Sequence, residues 1–277
     1  MLFRIALFQY YPIPRIKWCN HMKLLDWFLD KVITGHFVCP VCQQVVRKFR
    51  PIPSYYLKNL TKYGGSTDFS RYETLNYKEY SCPDCGASDR DRLYALYLKL
   101  KFQDSSAQEQ FTFIDFAPSG SLARIIRPIK GIIYRSADIS MDGVDDQVDL
   151  MDLHIYPDRF CDFFICSHVL EHVPDDHLAL KELYRILKPG GEGILMVPLV
   201  LSDVDIDEDP EETREAERWR RFGQGDHIRL YSKKGYLNRL HESGFQVKEL
   251  GVDFFGSDQF DTAAITKQSM LYVVTKN

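Results

Sequence analysis

The chain has 277 residues, 45% hydrophobic and 27% charged, with a formal net charge of −4. That is the make-up of a globular protein with room for one large α/β domain and a small attached module. No apolar run reaches the ~20 residues needed to span a bilayer. Charge is divided unevenly: residues 1–105 carry 16 Lys and Arg against 9 Asp and Glu, whereas residues 106–277 carry 19 against 30. A basic head therefore precedes an acidic body. Two readings follow: the head binds a polyanion, or it docks on the body of its own chain. Its Lys and Arg are scattered rather than clustered on a strip, which favours docking.

Residues 1–35 form an N-terminal extension. Its MLFRIALFQYY, followed by PIPRIKW, is short for an anchor and has no small-residue cleavage site, so it reads as neither signal peptide nor membrane anchor. Met22 opens MKLLDWFLDK and is an alternative start.

Residues 36–88 hold two matched knuckles, HFVCPVCQQ with Cys39 and Cys42, and YSCPDCGAS with Cys82 and Cys85. Thiolates two residues apart in a tight turn can both reach one ion, and two such turns complete a tetrahedral four-cysteine zinc site. With all four positions taken by protein, such a zinc is structural. A redox pair or unmetallated core cysteines are the competing readings; redox motifs normally come singly on a βα unit. Cys19, Cys161 and Cys166 stand alone, and seven cysteines cannot all pair within the chain. The pattern suits a reducing compartment, so a cytoplasmic address is expected. The 39 residues between the pairs, rich in Tyr, Pro and Gly, are expected to form loops and an extra strand. A linking helix over 89–105 follows in SDRDRLYALYLKLKF, with Arg90 and Arg92 at its start in expected salt bridges to the acidic body.

From 106 to 277 the pattern alternates. Strands are expected in FTFIDFA, GIIYRSADI, CDFFICS, GEGILMVPLV, FQVKELGV and MLYVVTK. Helices are expected in GSLARIIRPI, in HVLEHV, over 175–187 and in SKKGYLNRLHES. Leu180, Leu183, Tyr184 and Leu187 give the helix over 175–187 its apolar stripe, Asp175 or Asp176 can cap it, and Pro189-Gly190-Gly191 ends it. Such alternation implies a mostly parallel sheet with helices on both faces. The segment SDVDIDEDPEETREAERWRR turns from acidic to basic and is expected to be a lid or short helix, with Glu212, Glu215 or Glu217 pairing Arg218 to Arg221.

FTFIDFAPSGSLARI has the shape of a strand, a small-residue turn and a helix, the usual setting of a nucleotide-cofactor loop. Dinucleotides need G-x-G-x-x-G so that the backbone approaches a pyrophosphate. APSGSL has one glycine and a proline without an N–H, so a cofactor with ribose but no phosphate, S-adenosylmethionine, is the better fit. Asp138 ends the second strand at the distance from this loop where a carboxylate meets ribose hydroxyls.

These stretches, with VDLMDLHIYPDRFCDFFICSHVLEHVPDDHLALKELYRILKPGG and RFGQGDHIRLYS, resemble class I S-adenosylmethionine-dependent methyltransferases of the type 11 group. The resemblance is to a bacterial branch with an N-terminal CPxC…CPxC segment. It implies a Rossmann-like fold with a seven-stranded, mostly parallel sheet, helices on both faces, and a small zinc-ribbon-like module. The general loop pattern D-x-G-x-G-x-G is met only at Asp115; Ala117, Ser119 and Ser121 replace the glycines, and Gly120 remains for a position needing positive φ. The resemblance implies cofactor contacts at Asp115, Ala117, Ser119 and Gly120 for the methionine end and Asp138 for the ribose. Asp152 and Leu153 match the adenine position, and Ser167 and His168 lie near the transferable methyl group. For an acceptor that must lose a proton, His168, His172 and His227 compete as base; His172 reads as structural. Asp226 could orient His227 and Arg229 could hold an anionic substrate group, or the three could only brace a lid. The expected acceptor is a small molecule or sugar-like compound methylated on O or N. The alternatives are an RNA methyltransferase, or a non-catalytic zinc-ribbon protein binding nucleic acid or a protein partner behind a degenerate fold.

Overall fold

The computed structural model describes residues 37–103, 110–202 and 205–277. The N-terminal extension, with Cys19 and Met22, lies outside the described residues. The head begins with a two-residue antiparallel pair, β1 (Phe37–Val38) and β2 (Val45–Val46), which closes the first knuckle. The stretch between the knuckles differs from expectation: it forms a helix, α1 (Ser54–Tyr63), and a 3-10 turn at Phe69–Arg71, rather than loops and a strand. Its tyrosines are the reason. Tyr55, Tyr56 and Tyr63 pack their rings 5.7, 6.4 and 6.5 Å from that of Trp219, a contact across 156 residues that no local pattern announces.

Helix α2 (Asp89–Phe102) leaves the second knuckle through a capping box, in which Ser88 and Asp91 satisfy each other's backbone N–H groups. The body then follows in chain order: β3 (Phe111–Phe116), α3 (Gly120–Ile126), β4 (Ile132–Asp138), β5 (Asp146–Gln147), β6 (Cys161–Ser167), α4 (Asp176–Ile186) and β7 (Leu187–Met196). After these come β8 (Leu199–Val200), β9 (Asp207–Glu208), α5 (Glu215–Phe222), β10 (Arg229–Ser232), α6 (Lys233–Glu242), β11 (Gln246–Leu250), α7 (Val252–Phe255), α8 (Ser257–Thr262) and β12 (Leu271–Thr275).

The main sheet has seven strands in the order β11-β12-β7-β6-β3-β4-β5. The five from β7 to β5 are parallel, while β12 and β11 return antiparallel as the closing hairpin. This is the expected Rossmann-like sheet. The order reverses between β3 and β6, which makes the carboxyl ends of those two strands the switch point where α/β sheets bind ligands. Phe113, Ile114, Phe163, Phe164, Ile194 and Leu195 are fully buried in the central strands. Each such side chain contributes roughly 1.5–3 kcal/mol by leaving water. Gly193 is required by the same packing, since a Cβ there would come within 2.5 Å of the Phe164 ring.

HVLEHV is a turn, not the expected helix, and α4 starts only at Asp176. Asp175 caps α4 by accepting from Leu178, whereas Asp176 is buried against Tyr231 and Arg239. Three short strands, β8, β10 and β9 in that order, form a second sheet. The head is tied to it: Glu73 donates its N–H to Leu199 and Leu201 to Arg71. Among the described residues no helix is long and apolar enough to cross a membrane.

Candidate functional site

The two knuckles are near copies. Cys39 and Cys82 accept from the N–H groups of Gln43 and Gly86 at 2.8 and 3.0 Å. Both donors have positive φ, 63° at Gln43 and 79° at Gly86, so the first knuckle takes with a glutamine the turn the second takes with glycine. The four sulfurs lie within 4.8 Å of one another, with Cys39–Cys85 and Cys42–Cys82 at 3.7 and 3.8 Å. A tetrahedron with ~2.3 Å zinc–sulfur bonds has edges of ~3.8 Å, so the cluster fits one zinc ion, and the separations are far too long for disulfides. Ser121 and Arg124 of α3 both donate to the carbonyl of Cys85, at 2.8 and 2.9 Å. The second knuckle therefore rests on the helix that follows the APSG turn.

At the sheet's carboxyl edge, Asp115 is buried and accepts from the Tyr134 hydroxyl at 2.8 Å. Burial pushes its carboxyl up to about 7, with the Tyr134 bond partly offsetting it. Positive φ falls on Ala117, at 51°, and not on Gly120, which opens α3 in helical conformation. The expectation for Gly120 is corrected on this point: the chain turns as it leaves β3, before the glycine arrives. A Cβ on Gly120 would meet nothing within 4 Å, so open space faces this end of the helix. Ser119 donates its hydroxyl to Asp91 of α2 at 3.1 Å. Asp138 spends Oδ1 on the N–H groups of Ser140 and Met141, at 2.7 Å each, leaving Oδ2 without a hydrogen bond among the described residues. Asp152 is exposed beside His154, while Leu153 is fully buried and donates its N–H to Glu182. Ser167 meets the Tyr94 hydroxyl of α2 at 2.8 Å.

His168 follows at φ 57°, a strained conformation for a residue with a Cβ. The Arg90 guanidinium lies 2.6–2.7 Å from both its ring nitrogens. Burial, and then Arg90, push His168 down to about 4, so its ring is neutral at pH 7. Arg90 thus faces His168, and among the described residues no carboxylate forms a salt bridge with it. Arg92 also departs from the expected salt bridge: it is fully buried, its guanidinium donates to the carbonyls of Glu79, Tyr80, Ala87, Ala263 and Ala264, and it stacks on Phe49.

Asp226, Arg229 and His227 come close to the HVLEHV turn, but in other roles than expected. Arg229 is 1% exposed and donates to the carbonyls of Leu170, Val173 and Pro174, with Glu208 at 3.1 Å. Because the turn is not helical, these carbonyls have no helical partners, and Arg229 supplies them instead of holding a substrate anion. Asp226 turns toward His172, with its carbonyl 3.2 Å and Oδ2 3.7 Å from Nδ1. His227 is held by the Phe222 carbonyl at Nδ1 and by Gln224 at Nε2. Burial, with His172 next, pushes His227 down to about 3. Of the lid pairings, Glu217 takes Arg220 as expected, whereas Glu212 takes Arg214, and Arg221 takes Asp207 and Asp209.

Four residues of this site were missed by sequence reasoning. Arg90, Asp91 and Tyr94 bring α2 to the strand ends, and Glu171 lies inside the HVLEHV turn. Arg90 was visible as a cation at a helix start, where it needs an anion or an acceptor. Glu171 was visible only as a charge within an apolar stretch.

A family described as a methyltransferase domain matches residues 89–250, more than half of the chain. No curated protein matches it. Among solved structures, the complex of the Haloferax volcanii Trm112 methyltransferase activator with a methyltransferase contains a chain that is 20% identical, with 68% of this chain and 92% of that one covered and a TM-score of 0.43. The [4+2]-cyclase SpnF is 15% identical, over 82% and 95%, with a TM-score of 0.41. A methyltransferase from Bacillus halodurans is 15% identical, over 65% and 98%, with a TM-score of 0.40. On the extent of the family match, the chain belongs to the methyltransferase-domain family.

Proposed function

We propose that this chain transfers a methyl group from S-adenosylmethionine to an oxygen or nitrogen of a small-molecule or sugar-like acceptor in the cytoplasm. In this reading residues 36–88 are a zinc-ribbon-like module with a structural zinc, 89–105 a linking helix, and 106–277 the methyltransferase domain. The observation that carries it is the meeting of the APSG turn, Asp138 and the Ser167–His168 corner at one switch point, with small residues throughout the turn.

Bound there, S-adenosylmethionine supplies an electrophilic methyl group on a sulfonium. The protein's task is alignment and exclusion of water. Ala117, Ser119 and Gly120 leave room for the methionine end beside Asp115, and the unspent Oδ2 of Asp138 can accept from a ribose hydroxyl. Asp152 stands for the adenine side; Leu153 only supports it, being fully buried with its N–H on Glu182 and its carbonyl taken by Tyr156 and Arg185. Ser167 and His168 border the acceptor. With its ring neutral, His168 can take a proton, although at about 4 it is a weak base for a hydroxyl.

Calorimetric titration of the zinc-loaded protein with S-adenosylhomocysteine tests the reading. Micromolar binding, weakened at least ~10-fold by Asp138→Ala through loss of the ribose bond, is expected. Absence of binding by the wild type would sink it in favour of a non-catalytic zinc-ribbon protein.

A further inference from the structure

Glu171 is 0% exposed, and neither carboxylate oxygen takes a hydrogen bond among the described residues. Buried charges are ordinarily paired or bound to metal, and an orphaned one is costly. Its nearest nitrogens are imidazoles. His168 Nδ1 approaches to 3.2 Å without hydrogen-bond geometry, and His172 Nε2 and His227 Nε2 each lie 4.0 Å from Oε1. The donor atoms of Glu171, His172 and His227 all fall within 4.8 Å of one another.

We propose that Glu171, His172 and His227 form a second metal site, separate from the four cysteines, for a divalent transition metal of the zinc class. Two imidazoles and one carboxylate are the donor set of three-ligand zinc sites that keep a fourth position open. Donors ~2.1 Å from one tetrahedral ion are ~3.4 Å apart, so the 4.0 Å separations close by about 0.6 Å on binding. Each imidazole is already held through its other nitrogen: His172 Nδ1 faces the Asp226 carbonyl at 3.2 Å, and His227 Nδ1 the Phe222 carbonyl at 3.3 Å. Metal-binding histidines are oriented by such carbonyls. Glu171 also fixes the two segments in register, because its carbonyl accepts from Ile228 N–H at 3.0 Å. Two neighbours must accommodate the ion. Gln224 Nε2, 2.7 Å from His227 Nε2, has to swing aside, which its half-exposed position permits. Arg90 is a competing cation, but its guanidinium is engaged with His168. His172 is 18% exposed, so the site has a route to solvent.

The test is metal content. Full-length protein is equilibrated with zinc chloride, desalted and assayed for zinc per chain; cobalt chloride replaces zinc in a parallel set for absorption spectra. About two equivalents are expected, one with thiolate-to-cobalt charge transfer and one with ligand-field bands alone. His172→Ala and the near-isosteric Glu171→Gln should each lose the second equivalent and keep the thiolate band, which also shows that the variant has folded. Gln224→Ala, which frees His227 Nε2, should tighten the second cobalt up to ~10-fold. One equivalent in the wild type, two in His172→Ala, or unchanged affinity in Gln224→Ala would overturn the proposal. None of these readouts depends on methyl transfer.

Discussion

The four cysteines and the Glu171–His172–His227 triangle are both clusters of metal-type donors, yet they are put together in opposite ways. Each cysteine knuckle is complete within six residues: the turn, the N–H donated to the first cysteine carbonyl and both sulfurs are local. The triangle joins the six-residue HVLEHV turn to His227, 56 positions after Glu171, and Arg229, Ile228 and Asp226 hold the two strips together by backbone contacts. The first cluster braces a module with few apolar residues of its own, Val41, Val46 and Phe49, which are continuous with the core of the body. The second sits beyond the carboxyl end of β6, in a sheet whose core is filled by Phe, Ile and Leu side chains. The cysteine cluster is therefore expected to carry folding energy, and the triangle chemistry.

The sharpest way to break that contrast is to remove one donor from each. Cys82→Ser should cost on the order of 4 kcal/mol, because metal-binding free energy is largely folding free energy in such modules. For a chain of this size that is roughly a 10 °C fall in melting midpoint. His172→Ala should cost about 1 kcal/mol or less by the same melting assay. Comparable losses would show that both clusters are structural.

Arg92 is the next lever, since its five carbonyl bonds join the second knuckle to the 263–264 turn of the body. Arg92→Met leaves those carbonyls buried and unsatisfied and should cost about 3 kcal/mol in denaturant unfolding. A cost under about 1 kcal/mol would mean that the other ties of the head, such as Ser121 and Arg124 on the Cys85 carbonyl, hold it without Arg92.

Asp115 sharpens the comparison from the sheet side. Its folded carboxyl, at about 7, lies above the ~3.9 of an unfolded aspartate. The folded state keeps a proton that the unfolded chain has lost, so the stability it contributes is full below pH ~4 and falls as pH rises through about 7. Tyr134, Asp91 and Arg127 are the groups that act on it. Asp115→Asn should flatten this slope, gaining on the order of 2 kcal/mol at pH 8 relative to pH 5 against wild type. An unchanged slope in the variant would assign the pH dependence to other carboxylates.

Smallest is the turn itself. Ala117→Gly removes a left-handed alanine and should stabilise by about 0.5–1 kcal/mol, while Gly120→Ala, in open space at a helix start, should be neutral or slightly stabilising. The opposite order would return the special backbone position to Gly120.

Much of the architecture could be read directly. The alternation of apolar runs and amphipathic stretches placed six of the seven strands of the main sheet, because a parallel sheet covered on both faces demands continuous Val, Ile, Leu and Phe; β5, the polar pair Asp146–Gln147 at the sheet edge, gave no such signal. The helix expected over 89–105, observed over 89–102, and a cap for α4 at Asp175 or Asp176 were also legible, since caps act within one turn. HVLEHV misled because its apolar spacing suits a helix, while its carbonyls are taken by Arg229, far along the chain. The insert between the knuckles misled because Trp219, not local propensity, makes α1 worth forming.

The sequence alone determined the sheet, the paired knuckles and the small-residue turn, for each rests on spacing within a few residues. Tertiary structure alone decided that Arg90 faces His168, that Arg229 serves backbone carbonyls, that Asp226 turns to His172, and that Glu171 is buried among imidazoles. The physical reason is the same in each case. A charged side chain's partner is whatever polar group packing brings within about 3 Å, and packing joins segments whose separation along the chain carries no trace of it.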